Sequence, residues 1–129
     1  GSSPYKNSYG YGASYPLFAL YGNYEGFGWY AFHSAGNSKI FWYDDTTGKV
    51  DISPPYLGLR DGWNDARLMS WLQKSHDDII NRMISEKPDA PLHIGRERNG
   101  AYRWKTIVNI TDPFILNDAR KQLLELAAK

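Results

Sequence analysis

Residues Trp63–Glu86, WNDARLMSWLQKSHDDIINRMISE, carry the pattern from which the fold is read. Leu68, Met69, Leu72, Ile79, Ile80 and Met83 recur at the three-and-four spacing of one buried helical face. Arg67, Lys74, Asp77, Asp78 and Arg82 fall mostly on the other side. Asp61 or Asn64 can cap the start of this helix. Lys87-Pro88-Asp89 stops it, because proline disfavours helix at the residue before it.

Upstream, the pattern reads as strands. Lys39–Asp44 (KIFWYD) and Lys49–Ser53 (KVDIS) flank a tight turn, Asp45-Thr46-Thr47-Gly48, in which Gly48 is free to take a positive φ. Pro54-Pro55 ends the second strand, since two prolines cannot continue a sheet ladder. Tyr56–Gly62 bridges to the helix. Tyr24–His33 reads as another strand with aromatic residues on both faces, and Tyr15–Gly22 as a short one before it. A three- or four-stranded antiparallel meander is therefore expected over residues 15–53. Residues 1–14, rich in Gly, Ser and Tyr and without periodicity, read as a flexible tail opening on a cloning leftover, Gly1-Ser2-Ser3.

Downstream of the helix, Leu92–Arg98 and Ala101–Ile110 flank Asn99-Gly100, the strongest short-range hairpin dipeptide. In the second strand Tyr102, Trp104, Thr106, Val108 and Ile110 share one face, on which Trp104 reads as core. Thr111 or Asp112 opens a last helix, with Pro113 in its first turn and Leu116, Ala119, Leu123, Leu126 and Ala127 on one side. The expectation is an α+β fold: antiparallel β-meander, long helix, β-hairpin and C-terminal helix, with the helices packed on the sheet. Residues 15–129 make one domain.

Composition narrows the function classes. With 42% hydrophobic residues, five Trp and ten Tyr among 129 residues, the chain can build a packed core. No run of eighteen apolar residues is present to span a bilayer. The absence of cysteine excludes a disulfide scaffold and thiolate metal sites, and favours a reducing, intracellular compartment. A net charge of +1 exerts no global pull on nucleic acid or anionic lipid, so any such partner needs a local patch.

Two short stretches resemble known families. Trp42–Pro55, WYDDTTGKVDISPP, resembles the second hairpin of a WW domain, with Gly28-Trp29 in place of that family's opening Gly-Trp. The position of the family's second, ligand-stacking Trp holds Ile52, so a proline-rich ligand would lose its main platform. Tyr21–Phe27, YGNYEGF, resembles the guanine-recognition segment of a family of fungal ribonucleases, with Glu25 against the base edge. The position of that family's upstream catalytic His falls near Leu17, which moves no proton. No phosphate loop, paired-His zinc motif or nucleophile elbow occurs.

The feature that points to a partner is the basic hairpin. Residues 91–110 hold Arg96, Arg98, Arg103 and Lys105 against the single acid Glu97, a local charge of +3. Alternation aims Arg96 with Arg98 and Arg103 with Lys105, and the turn brings the pairs across from each other. Four cations that repel one another are relieved by an anion, and a basic two-stranded ribbon fits a nucleic-acid groove. Four phosphate contacts predict a salt slope of roughly −3.6, with Tyr102 available to stack on a base. The second reading is a protein-interaction module, binding a partner or another copy of itself through Trp29, Tyr30, Tyr43 and Trp71. A third is a small ribonuclease, using His33 or His93 with Glu25 or Glu97 and Arg96. His76 reads as a partly buried helix residue. Asp44 and Asp45 are adjacent and point apart on a strand, so no metal site is expected, and no cofactor motif is seen.

Overall fold

The computed structural model describes residues 4–25, 41–52, 54–99, 101–109 and 112–129. In chain order these form α1 (Pro4–Tyr21), β1 (Phe41–Asp44), β2 (Lys49–Ile52), α2 (Pro54–Met83), β3 (Ile84–Ser85), β4 (Leu92–Asn99), β5 (Tyr102–Ile107) and α3 (Pro113–Ala127). The class is α+β.

The first large difference from expectation lies at the N-terminus. Residues 4–21, expected as a tail followed by a strand, form one helix although they include Gly10, Gly12 and an internal Pro16. Tertiary packing overrides this low propensity. Gly58 and Gly62 lie one turn apart on α2 and let the α1 backbone approach closely. A Cβ on Gly58 would overlap the Tyr9 carbonyl, and one on Gly62 would sit 2.5 Å from the Ala13 carbonyl oxygen. Gly12 interlocks in return against Pro55. Two glycines inside a helix cost about 1 kcal/mol each. Full burial of Leu17, at about 1.5–3 kcal/mol, offsets most of that.

Helix α1 ends in a Schellman turn. Tyr24 N–H donates to the Ala19 carbonyl at 2.9 Å and Asn23 N–H to that of Leu20 at 3.2 Å, with Asn23 in the left-handed region at φ 56°. Tyr24 then stacks on Phe18 at 6.3 Å between ring centroids. Tyr24 therefore closes a helix instead of opening a strand, and residues 26–33 of the expected strand lie outside the described residues.

Helix α2 begins at Pro54, nine residues before the expected Trp63. Prolines tolerate a first helical turn, where the missing N–H has no partner in any case. The Tyr56–Gly62 bridge is thus helical, and Asp61 and Asn64 lie inside the helix instead of capping it. The helix breaks at His76 (φ −135°, ψ 43°) and ends at Met83. Met69, Leu72, Ile80 and Met83 are buried as expected, whereas Ile79 is exposed beyond the break.

Of the expected meander, the described residues contain one antiparallel pair, β1–β2, with Trp42 opposite Asp51 and Tyr43 opposite Val50. Gly48 takes its positive φ of 71° in the turn. Strand β2 is exposed along its length. The core instead joins α1, α2 and α3 to a three-stranded sheet of order β3-β4-β5. That sheet is mixed: β3 pairs parallel to β4, and β4 antiparallel to β5.

The short β3–β4 connection is held by side chains. Ala90 N–H closes a turn on the Lys87 carbonyl at 3.0 Å. The Asn109 amide donates to the Pro91 carbonyl at 3.0 Å and accepts from His93 N–H at 3.1 Å. Helix α3 starts as its sequence dictates, with the Asp112 carboxylate accepting from Phe114 N–H at 2.9 Å. Leu116, Ala119 and Leu123 enter the core.

Candidate functional site

The β4–β5 ribbon continues the core outward. Leu92, Ile94 and Ile107 are buried, and Ile94 lies opposite Ile107 in the register. Two residues further along each strand Arg96 faces Lys105, and the next such pair is Arg98 with Arg103. The cations therefore extend the row of Ile94 and Ile107. Ile107 is buried, whereas Thr106 and Val108 are half-buried, and the Trp104 side chain expected in the core lies outside the described residues. Val108 packs over Gly95, where any Cβ would meet it.

One of the four cations is already matched. Lys105 Nζ lies 2.8 Å from the Glu86 carboxylate, and the Tyr21 hydroxyl donates to the same group. The hydrogen bond from Lys105, then its charge, holds the Glu86 carboxyl below the usual carboxylate range, and the charge of Arg96 adds a smaller push. Lys105 is raised in turn, first by its bond to Glu86. Both side chains are substantially exposed, so the pair contributes little stability. Its effect is on availability: Lys105 is tethered to the turn after β3. Arg96 is exposed.

A cavity of about 660 Å³ opens at the foot of the ribbon, lined by Leu20, Tyr21, Gln73, Ile80, Asn81 and Glu86 among others. The break at His76 lets Gln73 donate to Asn81, eight residues on, at 3.2 Å.

A second charged cluster joins the three helices. Arg120 of α3 grips Asp65 of α2 with two hydrogen bonds of 2.9 Å, and Asp65 is 7% exposed. Arg120 also donates to the Tyr9 hydroxyl at 3.4 Å, and that hydroxyl donates to Asp61 at 2.6 Å. Burial first, and then the Asp61 carboxylate, push the Tyr9 phenol up. The Arg120 guanidinium is raised chiefly by its bonds to Asp65. Every strong group in this cluster has a partner of opposite character, which is the geometry of a lock.

Of the four residues expected to form an aromatic patch, only Trp71 has a described side chain. Trp71 is 59% exposed on α2, and Tyr43 sits in β1 opposite Val50. Trp29 and Tyr30 lie outside the described residues, as does His33. Tyr102 stands opposite Asn99 at the ribbon's end. The His93 ring donates from Nδ1 to the Lys87 carbonyl at 2.9 Å, since a carbonyl can only accept, so this ring anchors the turn. Among the described residues, no group of three or more His, Cys, Asp or Glu is placed to hold a metal ion, and no helix is long and apolar enough to cross a membrane.

No family model, no curated protein and no solved structure matches this chain. Sequence reasoning missed Glu86 and Tyr21 as neighbours of the ribbon, because no spacing relates them to Lys105. It missed Arg120–Asp65 for the same reason: the partners are 55 residues apart.

Proposed function

We propose that this domain binds nucleic acid without catalysis, through phosphate contacts from the β4–β5 ribbon. The observation that carries the reading is the register: Arg96 stands opposite Lys105 and Arg98 opposite Arg103. Like charges directly across a strand pair are destabilising, and a phosphate bound between them removes that penalty. Arg96, Arg98 and Arg103 are the contacts, while Lys105 is held by Glu86. Three phosphate contacts give a salt slope of about −2.7, in place of the roughly −3.6 that four would give. Such binding is modest, salt-sensitive and largely indifferent to sequence.

The test is polarisation of a labelled single-stranded RNA and a labelled DNA duplex across a salt series, followed by a gel of the RNA. Binding with a slope near −2.7 on the duplex, or about −2.1 on the single strand, and intact RNA support the reading. No binding at low salt ends it. Shortened RNA would make the domain a nuclease and return attention to its histidines. A second reading, self-assembly or protein binding through exposed aromatics, draws on the exposure of Trp71. It requires a mass in solution that rises with concentration and falls back in Trp71→Ala.

A further inference from the structure

The outward side of α2, opposite its buried face, alternates rings and cations. Tyr56, Arg60, Trp63, Arg67, Trp71 and Lys74 follow one another at steps of three or four residues, and all six are exposed. At 3.6 residues per turn they fall within about 80° of arc and span about 27 Å of helix. The rings are 39%, 50% and 59% exposed in chain order. Single exposed apolar side chains are ordinary on a protein surface. Three large rings in one stripe, each followed about one turn later by a cation, are not scatter.

Along the stripe itself the charge has one sign. No acid falls within the arc before the break at His76, and Asp77 and Asp78 follow it. Arg60 touches Asp61 at 3.3 Å, but with 57% of its side chain exposed that pair is weak. Glu25 lines a cleft with Arg67 at the margin. The relief of the stripe also suits flat ligands. A cleft of about 280 Å³ lies between Tyr56 and Trp63, floored by Leu59. Another of about 180 Å³ lies beyond Trp63, walled by Pro16, Tyr24 and Arg67.

We infer that this face of α2 is a platform for single-stranded nucleic acid, with Tyr56, Trp63 and Trp71 stacking on unpaired bases and Arg60, Arg67 and Lys74 meeting the phosphates between them. Stacking needs a base whose face is free, so the surface selects single strands over duplex. Every base has a π-face, so it selects little among sequences. The inference extends the nucleic-acid reading of the ribbon to a second surface and is tested on its own residues.

The experiment titrates the full chain with short oligothymidylate and with a blunt duplex, following tryptophan fluorescence and polarisation. Oligothymidylate is expected to quench the tryptophans. Trp63→Ala is expected to weaken single-strand binding roughly tenfold, and Trp63→Phe to restore part of it. The double variant Trp63→Ala/Trp71→Ala should lose the parent's extra affinity for the single strand, hold the duplex as the parent does, and melt at the parent's temperature. Equal single-strand affinity in parent and double variant overturns the inference. So does quenching by anionic vesicles but not by oligothymidylate, which would make the stripe a membrane-surface helix. A dimer dispersed by Trp71→Ala, with no oligonucleotide bound, overturns it in favour of self-association. Arg98→Ala/Arg103→Ala should leave the quench intact. Loss of duplex binding in that variant and loss of the quench in the tryptophan variant separate the two surfaces.

Discussion

Arginine is used in two opposite ways in this molecule. At Asp65 the Arg120 guanidinium meets a nearly buried carboxylate in bidentate geometry, with Tyr9 and Asp61 completing the cluster. On the ribbon, Arg98 and Arg103 stand opposite each other in the register, and Lys105 is paired with Glu86. The first arrangement spends its charge inside the protein and ties three helices together. The second, in the reading proposed above, has its charge met by a phosphate. Charge content is thus a poor guide to binding: what decides is whether the fold has already supplied the counter-charge.

The comparison breaks most easily at the lock. Gly58→Val forces α1 off α2, because any Cβ there overlaps the Tyr9 carbonyl. It should cost about 4 kcal/mol or more, seen as loss of a cooperative melt. Next in size, Arg120→Met leaves Asp65 buried and unpaired. A loss of about 3 kcal/mol in denaturant unfolding is expected, with low-salt oligonucleotide binding unchanged. If that variant instead bound more weakly while keeping its stability, the assignment of the two clusters would be reversed.

At the ribbon the effects move to binding. Arg98→Ala/Arg103→Ala should leave the melting temperature alone and flatten the salt slope from about −2.7 to about −0.9. Glu86→Gln frees Lys105 and should steepen the slope to about −3.6. An unchanged slope in Glu86→Gln would mean that Lys105 takes no part. The smallest effect is in pH. The Tyr9 phenol is raised above its ordinary 10.0, so the folded state favours the neutral form. Its contribution is fully present below that ordinary value and is lost as pH rises through the raised one. Tyr9→Phe should therefore unfold less steeply in alkali than the parent does.

Local chemistry made part of this architecture legible in advance. The spacing of Met69, Leu72, Ile80 and Met83 marked a buried helical face, and Asp112-Pro113 marked the start of α3. These signals survive because a periodic apolar face or a cap is decided by neighbours in the chain. The start of α2 is ambiguous in the sequence because Pro54-Pro55 can both end a strand and open a helix, and proline chemistry allows either. Reading the helix from Trp63 hid Tyr56 and Arg60, and with them the ring-and-cation stripe. Had the helix been carried back to Pro54, the steps of three and four residues would have revealed it.

By itself, then, the sequence determined the α+β class, the inward face of α2, the cap of α3 and the clustering of cations around Asn99. Only the tertiary structure decided that residues 4–21 are helical, since their glycines weaken a lone helix and become an asset only against the backbone of Pro55, Gly58 and Gly62. It alone decided that Ile107 and not Val108 fills the core, because strand alternation offers two rows and burial chooses between them. It also paired two of the cations, Lys105 and Arg120, within the fold. Asp65 and Glu86 reach Arg120 and Lys105 across the fold, and contacts between distant residues leave no period in the chain.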